Sequence, residues 1–168
     1  MSGGKLKDKV ILVTGANTGI GRAIAECCLK EGAQVAVHGL DSYAVETVVA
    51  EMGSNAFGIA GDLESADTPG RIVYEVVEHF GRLDGVVNNA AIITRASFSE
   101  TNAAMFDQTM AINVRAPFLI CQAVEPHLKA SKGCVVNIGS INAHGGEGIL
   151  SAYSVSKGAL QTMSKNLA

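Results

Sequence analysis

Residues 9–21 read Lys-Val-Ile-Leu-Val-Thr-Gly-Ala-Asn-Thr-Gly-Ile-Gly. The run from Lys9 to Thr14 is short, apolar and rich in β-branched side chains, which predicts a strand covered on both faces. Gly15, Gly19 and Gly21 follow at Gly-x-x-x-Gly-x-Gly spacing. Gly19 to Lys30 then reads as a helix, with Ile20, Ala23, Ile24, Cys27 and Cys28 expected on its packed face and Gly32 closing it. A strand that turns through glycines into a helix is a phosphate-binding device. Gly15 allows the tight turn, Gly19 lets a pyrophosphate approach the backbone, and Gly21 lets the helix pack closely. Free N–H groups at the helix N-terminus then bind the anion. The bland alternative is an ordinary glycine-rich turn, and three spaced glycines in this strand-to-helix setting argue against it.

Working outward, the alternation continues along the chain. Strands are expected at Gln34 to His38, Ala56 to Ala60, Leu83 to Asn88 and Cys134 to Ile138, the third weakened by Gly58. Helices are expected from a Ser42 cap to Met52, within Ser65 to Phe80, over Thr101 to Ala130 with Pro117 as a kink or join, and from about Ser151 onward. The last carries Val155, Ala159, Leu160, Met163 and Leu167 as an apolar stripe. This order predicts one α/β domain over residues 1–168. Its parallel sheet is doubly wound and Rossmann-like, with five strands present and helices on both faces.

Composition excludes several classes. Lys and Arg number 13 against 16 Asp and Glu, a net charge of −3, which argues against nucleic acid or an anionic membrane as partner. No stretch approaches the ~18 apolar residues of a membrane span, and no secretory signal is visible, so the default compartment is the cytoplasm. Cys27, Cys28, Cys121 and Cys134 fit no zinc spacing and read as small core residues. His79, His127 and His144 form no metal-like group, so no metal is expected. His38 has two readings, a contact to an adenosine or a plain strand-end core residue.

Four further signals stand beyond the carboxyl ends of predicted strands or on helices nearby, where ligands of open α/β sheets bind. Tyr153 and Lys157 lie at i, i+4 on one helix face, in Tyr-Ser-Val-Ser-Lys. Ser140 ends Asn-Ile-Gly-Ser, Asn113 sits inside the long helical segment, and Asn88-Asn89-Ala90-Ala91 ends the fourth strand. Together with the glycine loop and Gly61-Asp62-Leu63, in this order, the chain from Lys9 to Ala168 resembles the short-chain dehydrogenase/reductase family.

The resemblance implies an oxidoreductase that moves a hydride between NAD or NADP and a small alcohol or carbonyl substrate. Tyr153 would be the general acid/base, Lys157 would bind the nicotinamide ribose and favour the phenolate, and Ser140 would polarise the substrate oxygen. Asn113 would hold a water that extends the proton relay. Gly15, Asn17, Thr18, Gly19, Ile20, Gly21, Asp62, Leu63, Asn89 and Ala90 would bind the cofactor, with Tyr153 and Lys157 touching it as well. The chemistry is coherent, because a free phenol titrates near about 10 and needs a cation close by to act as a base.

The chain departs from the family pattern in places. Ala91 stands where a glycine is usual, which matters if φ must be positive there. The segment after the second strand is His38-Gly39-Leu40-Asp41, with no Arg waiting for a 2′-phosphate, and a nearby Asp41 would favour NAD. Family members continue with two more strands and a substrate loop, so the chain reads as C-terminally incomplete. The fifth strand would then be an apolar edge. A homodimer or homotetramer through the long helix and the Tyr153 helix is implied for the full-length form. The alternative reading is a non-catalytic dinucleotide-binding or interaction module. A sugar-nucleotide epimerase or dehydratase is a weaker third.

Overall fold

Alternation of apolar residues sets the layering. In β1 (Val10–Val13), Val10 and Leu12 face one core while Ile11 and Val13 face another, as a period of two requires. The computed structural model describes residues 4–168. After β1 come α1 (Gly19–Lys30), β2 (Gln34–Gly39), α2 (Ser42–Met52), β3 (Ala56–Ala60), α3 (Thr68–Phe80) and β4 (Gly85–Asn88). Then follow α4 (Ala103–Met110), a wide π-helical turn (Ala111–Arg115), α5 (Ala116–Ser131), β5 (Cys134–Asn137), a short 3₁₀ turn (Ile141–Ala143) and α6 (Ser151–Leu167).

The strands form one parallel sheet in the order β3-β2-β1-β4-β5. The order reverses between β1 and β4, which opens a crevice above their carboxyl ends. On one face α3 and α5 pack Ile72, Val76, Ile120 and Val124 onto Leu12, Ala36, Ile59 and Val86. On the other, α1 and α2 pack Ala25 and Val48 onto Val13, Val35, Val37 and Val87. A smaller cluster of Cys121, Leu160 and Met163 seats α6 beside β5. The expected doubly wound five-stranded sheet is therefore what the chain forms. Among the described residues, no helix is long and apolar enough to cross a membrane.

Several local expectations are corrected. The packed face of α1 is Gly21, Ile24, Ala25, Cys28 and Leu29, while Ile20, Ala23 and Cys27 are exposed. Only Cys121 is fully buried; Cys28 is half-buried and Cys134 is exposed at the start of the edge strand. Asp41, not Ser42, caps α2, its carboxylate accepting from Ala44 N at 2.8 Å. Gly58 does not weaken β3 by chance, because a Cβ there would lie 2.8 Å from Val45 of α2. On α6, Val155 and Leu167 face out, and the buried residues are Ala152, Ser156, Lys157, Leu160 and Met163. The long helical segment does join two helices, but the break is the wide turn just before Pro117. A proline has no N–H to give to the carbonyl of Asn113 four residues back, so the α-helical ladder loses a bond at this join.

Candidate active site

The turn after β1 is clamped by the loop after β4. Thr14 N donates to Val87 O at 3.0 Å, and Thr14 Oγ1 accepts from Asn89 N and Ala90 N, both at 3.0 Å. The Asn89 side-chain amide reaches back to Thr14 O at 2.9 Å and Gly15 O at 3.1 Å. The glycines then have separate duties. Gly15 and Gly19 hold φ of +61° and +55°, conformations that favour glycine. A Cβ on Gly21 would sit 2.2 Å from Gly15 O and 2.5 Å from Asn89 Nδ2, so the helix start closes onto the turn only if that atom is missing. Above Gly19 nothing lies within 4 Å of a built Cβ, so the backbone there is open to a ligand.

These elements wall a cleft of about 400 Å³. Gly15, Asn17, Thr18, Gly19 and Ile20 line one side. Asp62 and Leu63 after β3, and Asn89 and Ala90 after β4, line the others. Gly21 lies beneath the turn rather than in the wall. The wall also holds His38, Gly39, Leu40, Gly61 and Ala91, all within segments the sequence singles out, and two residues that motif reading missed, Ile92 and Ile112. Ile92 follows the carboxyl end of β4, and that position was the signal that could have found it. Among the described residues the wall contains no Lys or Arg. An anion here would be held by backbone N–H groups and the α1 dipole. Ala91 does not have a positive φ, so its methyl is accommodated.

Asp41 does not line the cleft and its side chain is taken by the α2 cap, which removes the argument for NAD over NADP. The last residue of β2 is Gly39, where a Cβ would meet Asn17 Oδ1 and Val45 Cγ2, each at 2.7 Å.

The second group of residues gathers around α6. Lys157 is buried, and its ammonium donates to Ile138 O at 2.7 Å, just past β5. It lies 5.7 Å from the centroid of the Tyr153 ring. Burial pushes the Lys157 amine below its ordinary value, and among the described residues no carboxylate pairs with it. Ser140 caps the 3₁₀ turn, its hydroxyl accepting from Asn142 N at 3.2 Å and keeping its own proton to donate. Ser140 and Lys157 share a small cavity of about 170 Å³.

Asn113 is the link between the two groups. Its amide accepts from Ile92 N and donates to Ile92 O, both at 2.9 Å, and donates to Ser156 Oγ at 3.0 Å. Ser156 Oγ in turn donates to Tyr153 O at 2.7 Å. Ile92 and Ile112 line the cleft, so α6 is tied to the cleft wall. Both amide hydrogens and the amide oxygen of Asn113 are thus engaged by protein. The main-chain carbonyl of Asn113 cannot receive the usual α-helical hydrogen bond from four residues on, because that residue is Pro117.

A family model described as short chain dehydrogenase matches residues 9–168. The chain belongs to the short-chain dehydrogenase family. Among relatives, it is 42% identical over 164 residues to an "Uncharacterized oxidoreductase" of Thermotoga maritima, covering 95% of this chain and 64% of that one. It is 36% identical over 168 residues to 2-(S)-hydroxypropyl-CoM dehydrogenase 3 of Xanthobacter autotrophicus, covering 98% and 66%. Among solved structures, a 3-ketoacyl-(acyl-carrier-protein) reductase of Brucella melitensis complexed with NADH superposes with a TM-score of 0.93 at 29% identity, covering 98% of this chain and 70% of that one. The chain therefore spans about two thirds of the length of these family members.

Proposed function

We propose that this chain carries the dinucleotide cleft and the proton-transfer groups of an oxidoreductase that interconverts an alcohol and a carbonyl compound with NAD or NADP. The observation that carries the reading is the tie from the glycine-lined cleft through Ile92, Asn113 and Ser156 to the Tyr153–Lys157 face of α6. The open space over Gly19 fits a pyrophosphate at the N-terminus of α1. When bound, the nicotinamide supplies or accepts the hydride.

The protein's part is position and proton movement. Tyr153 Oη gives a proton to the carbonyl oxygen in reduction and takes one from the alcohol in oxidation. Lys157, held against Ile138 O, places positive charge beside the Tyr153 ring, where it offsets negative charge developing on the substrate and phenol oxygens during proton transfer. Ser140 donates its hydroxyl proton to the substrate oxygen and polarises it. The main-chain carbonyl of Asn113 holds a water that connects this proton to solvent, while its side chain fixes the geometry. Asn17, Thr18, Asp62, Leu63, Asn89 and Ala90 seat the dinucleotide between the loops. The exposed side chains of Phe106, Phe118 and Val155 on α4, α5 and α6 support a homodimer or homotetramer through those helices.

The test is Tyr153→Phe. Turnover on a panel of alcohols and carbonyl compounds should fall by about 10²- to 10⁴-fold. Binding of the dinucleotide, followed by calorimetry, should be retained. Equal turnover in the variant would remove Tyr153 from the proton transfer.

A further inference from the structure

His38 is a buried titratable group in the cleft wall that the proposed chemistry leaves without a role. It stands near the carboxyl end of β2, between β1 and β3. Its backbone carbonyl accepts from Ala16 N at 2.7 Å, which fixes the strand against the glycine turn. Its ring spans outward in both directions. Nδ1 accepts from Gly15 N at 3.4 Å, and Nε2 lies 3.0 Å from Gly61 O. Gly15 begins the turn after β1, and Gly61 begins the turn after β3 that carries Asp62 and Leu63.

We propose that His38 is a positioning residue of the dinucleotide cleft: its neutral ring pins the Gly15 turn to the Gly61 turn, and protonation releases the pin. The proposal rests on the dinucleotide reading given above.

The geometry admits one protonation state. An N–H donor at Gly15 needs a bare Nδ1, and a carbonyl at Gly61 needs a proton on Nε2, so the ring must be the neutral Nε2–H form. Adding a proton at Nδ1 sets two donors against each other at a ring that is 2% exposed. The surroundings oppose that proton too. Burial pushes His38 below the ordinary histidine value of 6.5, outweighing an upward pull from the Gly61 hydrogen bond, and the charge of Arg71 on α3 adds a smaller push in the same direction as burial.

Other charges near the ring are accounted for. Arg71 also donates to Ala60 O at 2.8 Å and pairs with Glu75, so it is held in place. Asp62 is exposed and accepts from Glu64 N at 2.8 Å. On α2, Asp41 is occupied with Ala44 N. The turn after β1 presents Thr14, Gly15, Ala16 and Asn17, none of them charged. The sign follows. A histidine whose folded value is lowered contributes fully above 6.5, and that contribution is lost as pH falls through the lowered folded value.

The test uses the 168-residue chain, His38→Gln and His38→Leu, each first shown to be folded by circular dichroism. Affinity for NAD⁺, and separately for NADP⁺, is measured by calorimetry from about pH 8 down to about pH 5, across the ordinary histidine range. The wild-type chain should lose about ten-fold in affinity on acidification beyond any loss in His38→Gln, which keeps a donor and an acceptor but does not titrate. His38→Leu should bind weakly at every pH, with no such acid step. In the chain without dinucleotide, ¹⁵N NMR should show the Nε2–H tautomer, and the Gly15 amide should exchange faster in acid. A wild-type profile that matches His38→Gln, or an Nδ1–H tautomer, would overturn the proposal. Acid release of the Gly15 amide with no dinucleotide bound at any pH would instead overturn the dinucleotide reading and leave His38 a pin with no ligand to serve.

Discussion

Replacing Asp84 with asparagine should cost stability without touching the cleft. Asp84 lies just before β4, at the end of the sheet away from the glycine turn, and its side chain is 3% exposed. One carboxylate oxygen accepts from Val10 N at 3.0 Å and Arg82 Nε at 2.8 Å; the other accepts from Arg82 Nη2 at 2.6 Å and Lys9 Nζ at 3.1 Å. Burial by itself would raise this carboxyl. The hydrogen bonds from Arg82, Val10 N and Lys9, with the charge of Arg82, more than reverse it and bring it from 3.8 to about 2. A shift of that size corresponds to about 2 kcal/mol favouring the ionised, folded form. Asp84→Asn turns an amide N–H₂ toward existing donors and adds to the loss, so about 2 to 3 kcal/mol is expected. In urea this is a fall of about 1 M in the midpoint at neutral pH. The contribution is complete above 3.8, the unfolded value, and is lost as pH falls toward about 2, so the two proteins should converge there. Dinucleotide affinity of the folded variant should equal that of the wild type. An unchanged midpoint at neutral pH, or a gap that persists undiminished at about pH 2, would refute the assignment of Asp84 as the charged clamp between β1 and β4.

Gly21→Ala forces a Cβ to 2.2 Å from Gly15 O, so the glycine turn must shift. Overpacking of this kind costs about 1–3 kcal/mol, and calorimetry should show dinucleotide affinity reduced about ten-fold or more. Asn113→Ala strands Ile92 N and Ile92 O and cuts the link to Ser156. A loss of about 2 kcal/mol or more is expected, with faster hydrogen exchange at the Ile92 amide than at β1 amides. Val136→Lys places a charge on β5, where Val136 is 47% exposed on the last strand of the sheet. Light scattering should report less self-association, with thermal stability changed by no more than about 0.5 kcal/mol.

Much of this architecture is visible in the order of residues. The apolar runs Val10–Val13 and Gln34–Gly39 have no plausible home but a sheet covered on both faces, and the glycine spacing between them fixes where the crevice opens. The i, i+4 pair of Tyr153 and Lys157 is legible for the same reason, since helical period alone puts them together. What stayed hidden depends on the third dimension. Ile20 looks like a core residue by period, yet it is 67% exposed because the first turn of α1 faces the cleft and not the sheet. Asp41 looked like a charge that would turn away a 2′-phosphate, but a carboxylate three residues before Ala44 is taken by a helix N–H instead. His38 has no motif around it. Its two hydrogen bonds join turns 23 residues away on either side in the chain, which no local pattern encodes.

The wide turn at Ala111–Arg115 makes the segment from Ala103 to Ser131 sensitive to chain length in a way that no point substitution matches. Each residue of an α-helix advances the azimuth by about 100°, so one surplus residue absorbed as a bulge lets the two flanking helices keep independent angular phases. Deleting that surplus residue would close the bulge and leave the flanking phases as they are. A second deletion would have no bulge to absorb it and would turn α4 by roughly a quarter-turn relative to α5.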